Sequence, residues 1–376
     1  MLHRIMGATG LAVALAASVG TAAVAAHDSG DGHDRGDHGA RTGTVYTITN
    51  AAAGNAVVAY SRWADGSLSP LGTYATGGDG TGAGLGSQGA VSLSADGDWL
   101  ATVDAGSNDV ALFRVGHDGR LLLSDRIASG GTDPISVTIH DNVVYVLDAG
   151  GDGNIAGFRV WHGQLHGIWG SSRALSGAGT SPEEIAFSPD GRTLVVTEKA
   201  GGDLVTYRVN PSGVAGGPQV FASAGAAPYG FAFDGRGRFF VTEAAASAVS
   251  SYSLSWNGTP SVITASLTNG QAAACWLAVT PNGRFAFSID AHNAAISSYR
   301  IHRDGSLTLV NGTAALEGAS SIPLLDASIS RDGRFLYVVD GGTNAIDSFR
   351  IGSDGSLVAL GSTGSFAAGW GGLAAS

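Results

Sequence analysis

Apolar and polar residues alternate with a period of two along short runs, and each run is stopped by Gly, Asp, Asn or Ser. No stretch holds the 3.6-residue periodicity of an amphipathic helix over several turns, so the pattern predicts strands joined by tight turns.

The runs recur. A two-residue turn followed by small or apolar residues appears as ADGSL, HDGRL, WHGQL, PSGVA, WNGTP, RDGSL and SDGSL, with glycines at 66, 119, 163, 213, 258, 305 and 355. Gly66 to Gly355 is 289 residues in six steps, a mean period of about 48, which suits a propeller blade and exceeds the short helical repeats. Asp-Gly and Asn-Gly favour hairpins because the central residues of such turns take positive φ. A second hairpin precedes it in most units (SADGDWL, SPDGRTL, DGRGRFF, TPNGRFA, SRDGRFL), and the unit from Pro134 to Val160 shortens it to HDNVV. Between the two lies strand, small polar loop, strand, as in VTEKAGGDLVTYRV and VVDGGTNAIDSFRI. Each unit therefore has four short strands, A to D from the centre outwards, and the chain is expected to be an all-β, seven-bladed β-propeller of four-stranded blades. Radial repetition of this kind protects strand edges.

The first unit begins at its second strand, Thr44 to Thr49, and lacks an inner one, while the C-terminal GWGGLAAS resembles the opening of inner strands such as CWLAVT. The C-terminal strand is therefore expected to join the N-terminal blade and close the ring. One domain from Thr42 to Ser376 follows.

The pattern of PDGRTLVVTE, a short loop, VTYRV and a Gly turn resembles the seven-bladed lactonase propeller family, which includes 6-phosphogluconolactonase-like enzymes and is similar to the muconate cyclases. The resemblance covers all seven units and implies hydrolase chemistry on a lactone. It also implies His and Arg at the blade tops, often as Pro-His opening strand A. The openings here read SQGAVSLS, TDPISVTI, SPEEIAFS, APYGFAFD, ACWLAVT and LLDASIS, with no His.

Composition narrows the partners. Lys and Arg number 20 against 31 Asp and Glu, giving a formal charge of -11, and Lys199 is the sole lysine; nucleic acid is not an expected partner. Residues 1–26 have a basic start, an apolar stretch from Leu11 to Val19 and a small-residue end, the pattern of a secretory signal peptide. Its removal takes away Arg4 and no acid. No later apolar run is long enough to span a membrane, so a secreted, extracellular monomer is expected. His27 to Arg41 mixes His with Asp at spacings that match no defined metal site and is expected to be a disordered linker. Cys275 is the only cysteine, which excludes an intrachain disulfide. No metal and no cofactor are expected.

In such a blade the D-to-A connections and B-to-C loops share one face, and the hairpins share the other. A pocket is expected on the first face, around the channel. The strand A openings supply Gln88, Ser136, Glu184, Tyr229, Trp276 and Asp326. The B-to-C loops begin with Asn50, Asp104, Asp148, Glu198, Glu243, Asp290 and Asp340, acids that either cap turns or form an acidic ring with raised pKa values. Glu184 breaks the repeat and with Asp326 forms a candidate acid-base pair for opening an ester ring. Lys199, beside Glu198, is a candidate for an oxyanion or a substrate carboxylate. His292 is the one imidazole placed near this face. The expected catalytic set is therefore Glu184, Asp326, Glu198, Lys199 and His292. Substrate contacts are expected from Gln88, Tyr229, Trp276, Asp104, Asp148, Glu243, Asp290 and Asp340.

Nine arginines recur at fixed repeat positions and no phosphate-binding cluster emerges, so the expected substrate is an unphosphorylated small molecule. G-x-S-x-G, H-E-x-x-H and P-loop signatures are absent. Two functions stand open at this level: a lactonase-like hydrolase or cyclase, and a non-catalytic extracellular propeller that binds a ligand.

Overall fold

A computed structural model describes residues 38–364 and 369–376. The segment read as a signal peptide, and the expected linker up to Asp37, lie outside the described residues. Within them the chain forms seven antiparallel sheets arranged as a seven-bladed β-propeller, and the one helical element is a 3₁₀ turn at Ala319–Ser321.

Ring closure runs through the two chain ends. Gly371–Ala375 pairs antiparallel with Arg41–Ile48, setting Val45 opposite Ala375 and Thr47 opposite Leu373. Ser376 adds a backbone bond from its N–H to the Thr44 carbonyl at 2.9 Å. The first strand starts at Arg41, and His38 Nδ1 lies 2.9 Å from Asp65, so residues 38–41 of the segment read as linker are part of the fold. In chain order the blades are 1 (41–75 with 371–375), 2 (91–128), 3 (134–174), 4 (182–222), 5 (228–268), 6 (274–316) and 7 (324–363), and in blade 3 the outer strand is broken into Gln164–Gly167 and Arg173–Ala174.

The apolar faces of the sheets pack against one another between blades. Strands A to C alternate little because both faces are covered, as in Phe335–Asp340, which is buried throughout. Buried tyrosines in strand B lock neighbours together: Tyr46, Tyr145 and Tyr337 donate to the carbonyls of Gly119, Gly213 and Gly66 in the next blade at 2.9, 2.8 and 2.9 Å. The turn glycine is required there. At Gly66 φ is +92°, and a Cβ would stand 2.3 Å from the Phe335 ring.

Candidate functional site

Around the axis the inner strands expose one unpaired edge, so their amides need acceptors. Side chains at the start of strand A provide them across the blade boundaries. Ser136 Oγ accepts from Ile185 N at 3.2 Å, Glu184 Oε2 from Phe231 N at 2.6 Å, and Asp326 Oδ2 from Gly89 N at 3.1 Å and Leu373 N at 3.2 Å. Gln88 bonds the blade 5 and blade 6 backbones, donating to the carbonyls of Phe231 and Leu277 and accepting from Leu277 N at 2.9 Å.

Gln88, Glu184 and Asp326 form the inner end of a cavity of about 530 Å³ lined by the length of the A strands. The cavity runs from Gln88, Glu184 and Asp326 to Ser94, Ala95 and Arg331, where strand A enters its hairpin, and it therefore opens towards the hairpin face. This differs from the expected side. The D-to-A side is closed by the Gly86–Gln88 segment: the Tyr229 hydroxyl donates to Gly86 O, Trp276 Nε1 donates to Ser87 O at 3.0 Å, and the two rings meet edge to face at 5.4 Å. A cavity of about 10 Å³ lies beyond, bordered by Trp276, Trp370 and Asp326. Tyr229 and Trp276 thus seal the channel on the side where they were expected to line its mouth.

Glu184 and Asp326, 6% and 3% exposed, line the same cavity. Burial pushes the Glu184 carboxyl well above its usual range against the Phe231 amide, and the charge of Asp326 pushes it further. Burial raises Asp326 to about 7, opposed by the amides of Gly89, Ala327 and Leu373. Such a pair favours one protonated and one ionised carboxyl near neutral pH.

The remaining predicted residues lie elsewhere. Lys199 forms an ion pair with Glu183, and its Nζ stands 5.0 Å from the Tyr229 ring centroid. Glu183 is buried, which raises its carboxyl, and Lys199 opposes that shift. His292 is exposed in its loop.

Most of the acids closing strand B clasp the preceding blade. Asp104 accepts from Thr76 at 2.7 Å, Asp148 from Ser129 at 2.6 Å, Glu243 from Ser223 at 2.8 Å and Asp290 from Asn269 at 2.7 Å. Glu198 accepts from both the amide and the hydroxyl of Ser176. Each donor follows strand D of the previous blade. Asp340 instead takes the Gly342 and Thr343 amides of its own loop at 2.8 Å. Burial raises Asp104 and Asp148 to about 6 and Asp290 to about 7. Asp104, Asp148, Glu198, Glu243, Asp290 and Asp340 thus sit at blade seams and in a turn, away from the channel lining.

Two residues, one beside the channel and one at its mouth, escaped the sequence reading. Glu183 precedes Glu184, and a register shift between Pro182 and Glu184 separates the surroundings of the two acids. Arg331 occupies the hairpin position held by Ala95, Pro189 and Pro281 in other blades, a repeat break visible in SRDGRFL. Its guanidinium donates to Ser94 O at 2.8 Å at the channel mouth. Among the described residues no group of three or more His, Cys, Asp or Glu is placed to hold a metal ion.

The family profile described as lactonase, 7-bladed beta-propeller, matches residues 30–168 and 241–367. Solved structures of the same architecture include the Pseudomonas aeruginosa periplasmic gluconolactonase, 16% identical, covering 88% of this chain and 99% of that one with a TM-score of 0.69. A candidate 6-phosphogluconolactonase from Bacteroides fragilis is 17% identical over 89% of this chain and 98% of its own, also at 0.69. A functionally unknown protein from Desulfotomaculum acetoxidans is 14% identical over 89% and 98%, again at 0.69. None of the curated proteins matches this chain.

Proposed function

This chain belongs to the seven-bladed β-propeller lactonase family, and from that premise we propose that it hydrolyses an unphosphorylated lactone in its central channel, outside the cytoplasm. The observation that carries this reading is the pair of buried carboxyl groups, Glu184 and Asp326, facing one open cavity, both with raised proton affinities and that of Glu184 raised further by the charge of Asp326.

The pair suits ring opening by general acid and base. The ionised carboxyl takes a proton from a water as its oxygen bonds to the lactone carbonyl carbon; the protonated one gives its proton to the ring oxygen as the carbon–oxygen bond breaks. The products are one hydroxy acid and a pair with its protons exchanged. Main-chain groups fixed along the inner strands supply polar contacts for a small ring. Arg331 at the mouth is the one basic side chain lining the cavity, so the inner end offers no counter-charge to a phosphate. Location outside the cytoplasm is supported by the signal-like residues 1–26 and by the similarity to the periplasmic gluconolactonase of Pseudomonas aeruginosa.

The test is hydrolysis of a panel of unphosphorylated sugar and aromatic lactones by the mature chain, beside Glu184→Gln and Asp326→Asn. Turnover that falls at least about a hundredfold in either variant, with unchanged circular dichroism, supports the pair as acid and base. Absence of turnover above the uncatalysed rate across the panel sinks the reading and favours a binding propeller.

A further inference from the structure

The hairpin between the first two strands of blade 3 is two residues shorter than that of blade 4. Ile139 pairs with Val144, whereas the equivalent Phe187 pairs with Leu194. Beside the shortened hairpin lies a cavity of about 680 Å³ between blades 3 and 4, on the hairpin face and outside the channel. The related grooves between blades 1 and 2 and between blades 4 and 5 hold about 550 and 460 Å³.

Arg159, Arg192 and Arg208 line this groove together with His140. Arg159 donates to Asn142 Oδ1 and Ser212 O, and Arg208 donates to Thr193 Oγ1, which holds both guanidiniums in place. Elsewhere Arg62, Arg114, Arg126 and Arg238 form ion pairs with Asp332, Asp98, Asp109 and Asp234. Among the described residues, none of the three groove arginines lies within 4 Å of a carboxylate oxygen, in a chain whose formal charge is -11. Two acids share the wall. Asp190 Oδ1 accepts from Ser188 Oγ and Arg192 N, and Asp141 lies 3.5 Å from His140 Nδ1. Phe187, Val143 and Val209 add apolar wall.

We propose that this groove is a second binding site, for a small organic anion carrying two or more carboxylates. Guanidinium groups match carboxylate oxygens in pairs, and the apolar wall suits a carbon skeleton that an inorganic anion lacks. The site is independent of the chemistry assigned to the channel.

The test is isothermal titration of the mature chain with tricarballylate, and with pyrophosphate as the inorganic comparison, at low salt. The expected result is saturable tricarballylate binding, about tenfold weaker after Arg192→Glu, which removes a charge-assisted contact. Arg236→Glu, in the neighbouring groove, is expected to leave it unchanged. Replacing Asp141-Asn142 by the four-residue turn Pro-Asp-Gly-Arg, which restores the common hairpin length, is expected to abolish it. Arg192 and Arg236 are exposed, so both charge variants keep the fold. No saturable binding, equal weakening by Arg192→Glu and Arg236→Glu, or tighter binding of pyrophosphate than of tricarballylate overturns the proposal.

Discussion

Glu183 and Glu184 are adjacent in the chain and serve different sites: Glu183 pairs with Lys199 beside the Tyr229 ring, while Glu184 lines the channel and accepts the Phe231 amide at 2.6 Å. The register shift at the start of strand A makes this possible. Both acids are buried, and each has one principal partner.

Lys199→Met should therefore destabilise the protein through Glu183. The ammonium is partly exposed, which weakens the pair, but its removal leaves a buried carboxylate without a counter-charge, held only by neutral donors such as the Ser181 hydroxyl, at a cost of about 1–2 kcal/mol. Urea unfolding checks this. Glu183→Gln on the Lys199→Met background should recover part of the loss, and failure to do so contradicts the assignment.

Stability should depend on pH with an uncommon sign. Asp104, Asp148 and Asp347 are raised by burial to about 6, and Asp290 and Asp326 to about 7. A carboxyl whose folded pKa is raised binds its proton more tightly when folded. Its contribution is complete below the unfolded value, near ~4, and is lost as pH rises through 6 to 7. Asp65, Asp96, Asp190 and Asp332 are lowered and act in the opposite sense, failing only in more acid solution. Melting temperature should thus fall between pH 5 and pH 7, and Asp290→Asn should flatten that fall. A profile that rises over this interval rules the account out.

Asn269→Ala should cost about 1.5–3 kcal/mol, because it removes the clasp on Asp290 and leaves that carboxylate short of a buried donor. Guanidinium unfolding of the variant measures it. A cost below about 0.5 kcal/mol would show that the seam bond contributes little.

Two glycines offer a controlled comparison. Gly66→Ala meets both positive φ and the Phe335 ring, whereas Gly54→Ala meets φ of +103° with nothing within 4 Å. The first should cost about 3 kcal/mol and the second about 1 kcal/mol. Equal losses in thermal melts would remove packing from the explanation.

Blade number, strand order and ring closure were legible because they depend on local chemistry repeated along the chain. Asp-Gly turns, period-two runs and the resemblance of GWGGLAAS to CWLAVT each constrain a few neighbouring residues. Glu184 stood out in the sequence as a break in that repeat, and the structure places it with Asp326 along one cavity.

Three matters needed the tertiary structure. Which end of the channel opens depends on Tyr229 and Trp276 reaching the carbonyls of Gly86 and Ser87 in a different blade. Whether a strand-terminal acid is free depends on a donor such as Ser129 or Ser223, which follows the neighbouring blade's outer strand. Lys199 finds Glu183 only when strands A and B of blade 4 are paired and bulged. The sequence by itself determined a closed ring of hairpin-joined blades, because turn and strand preferences act between near neighbours. Tertiary structure decided which carboxyl groups face open space, because desolvation and hydrogen bonding at each one are set by residues brought together from separate blades.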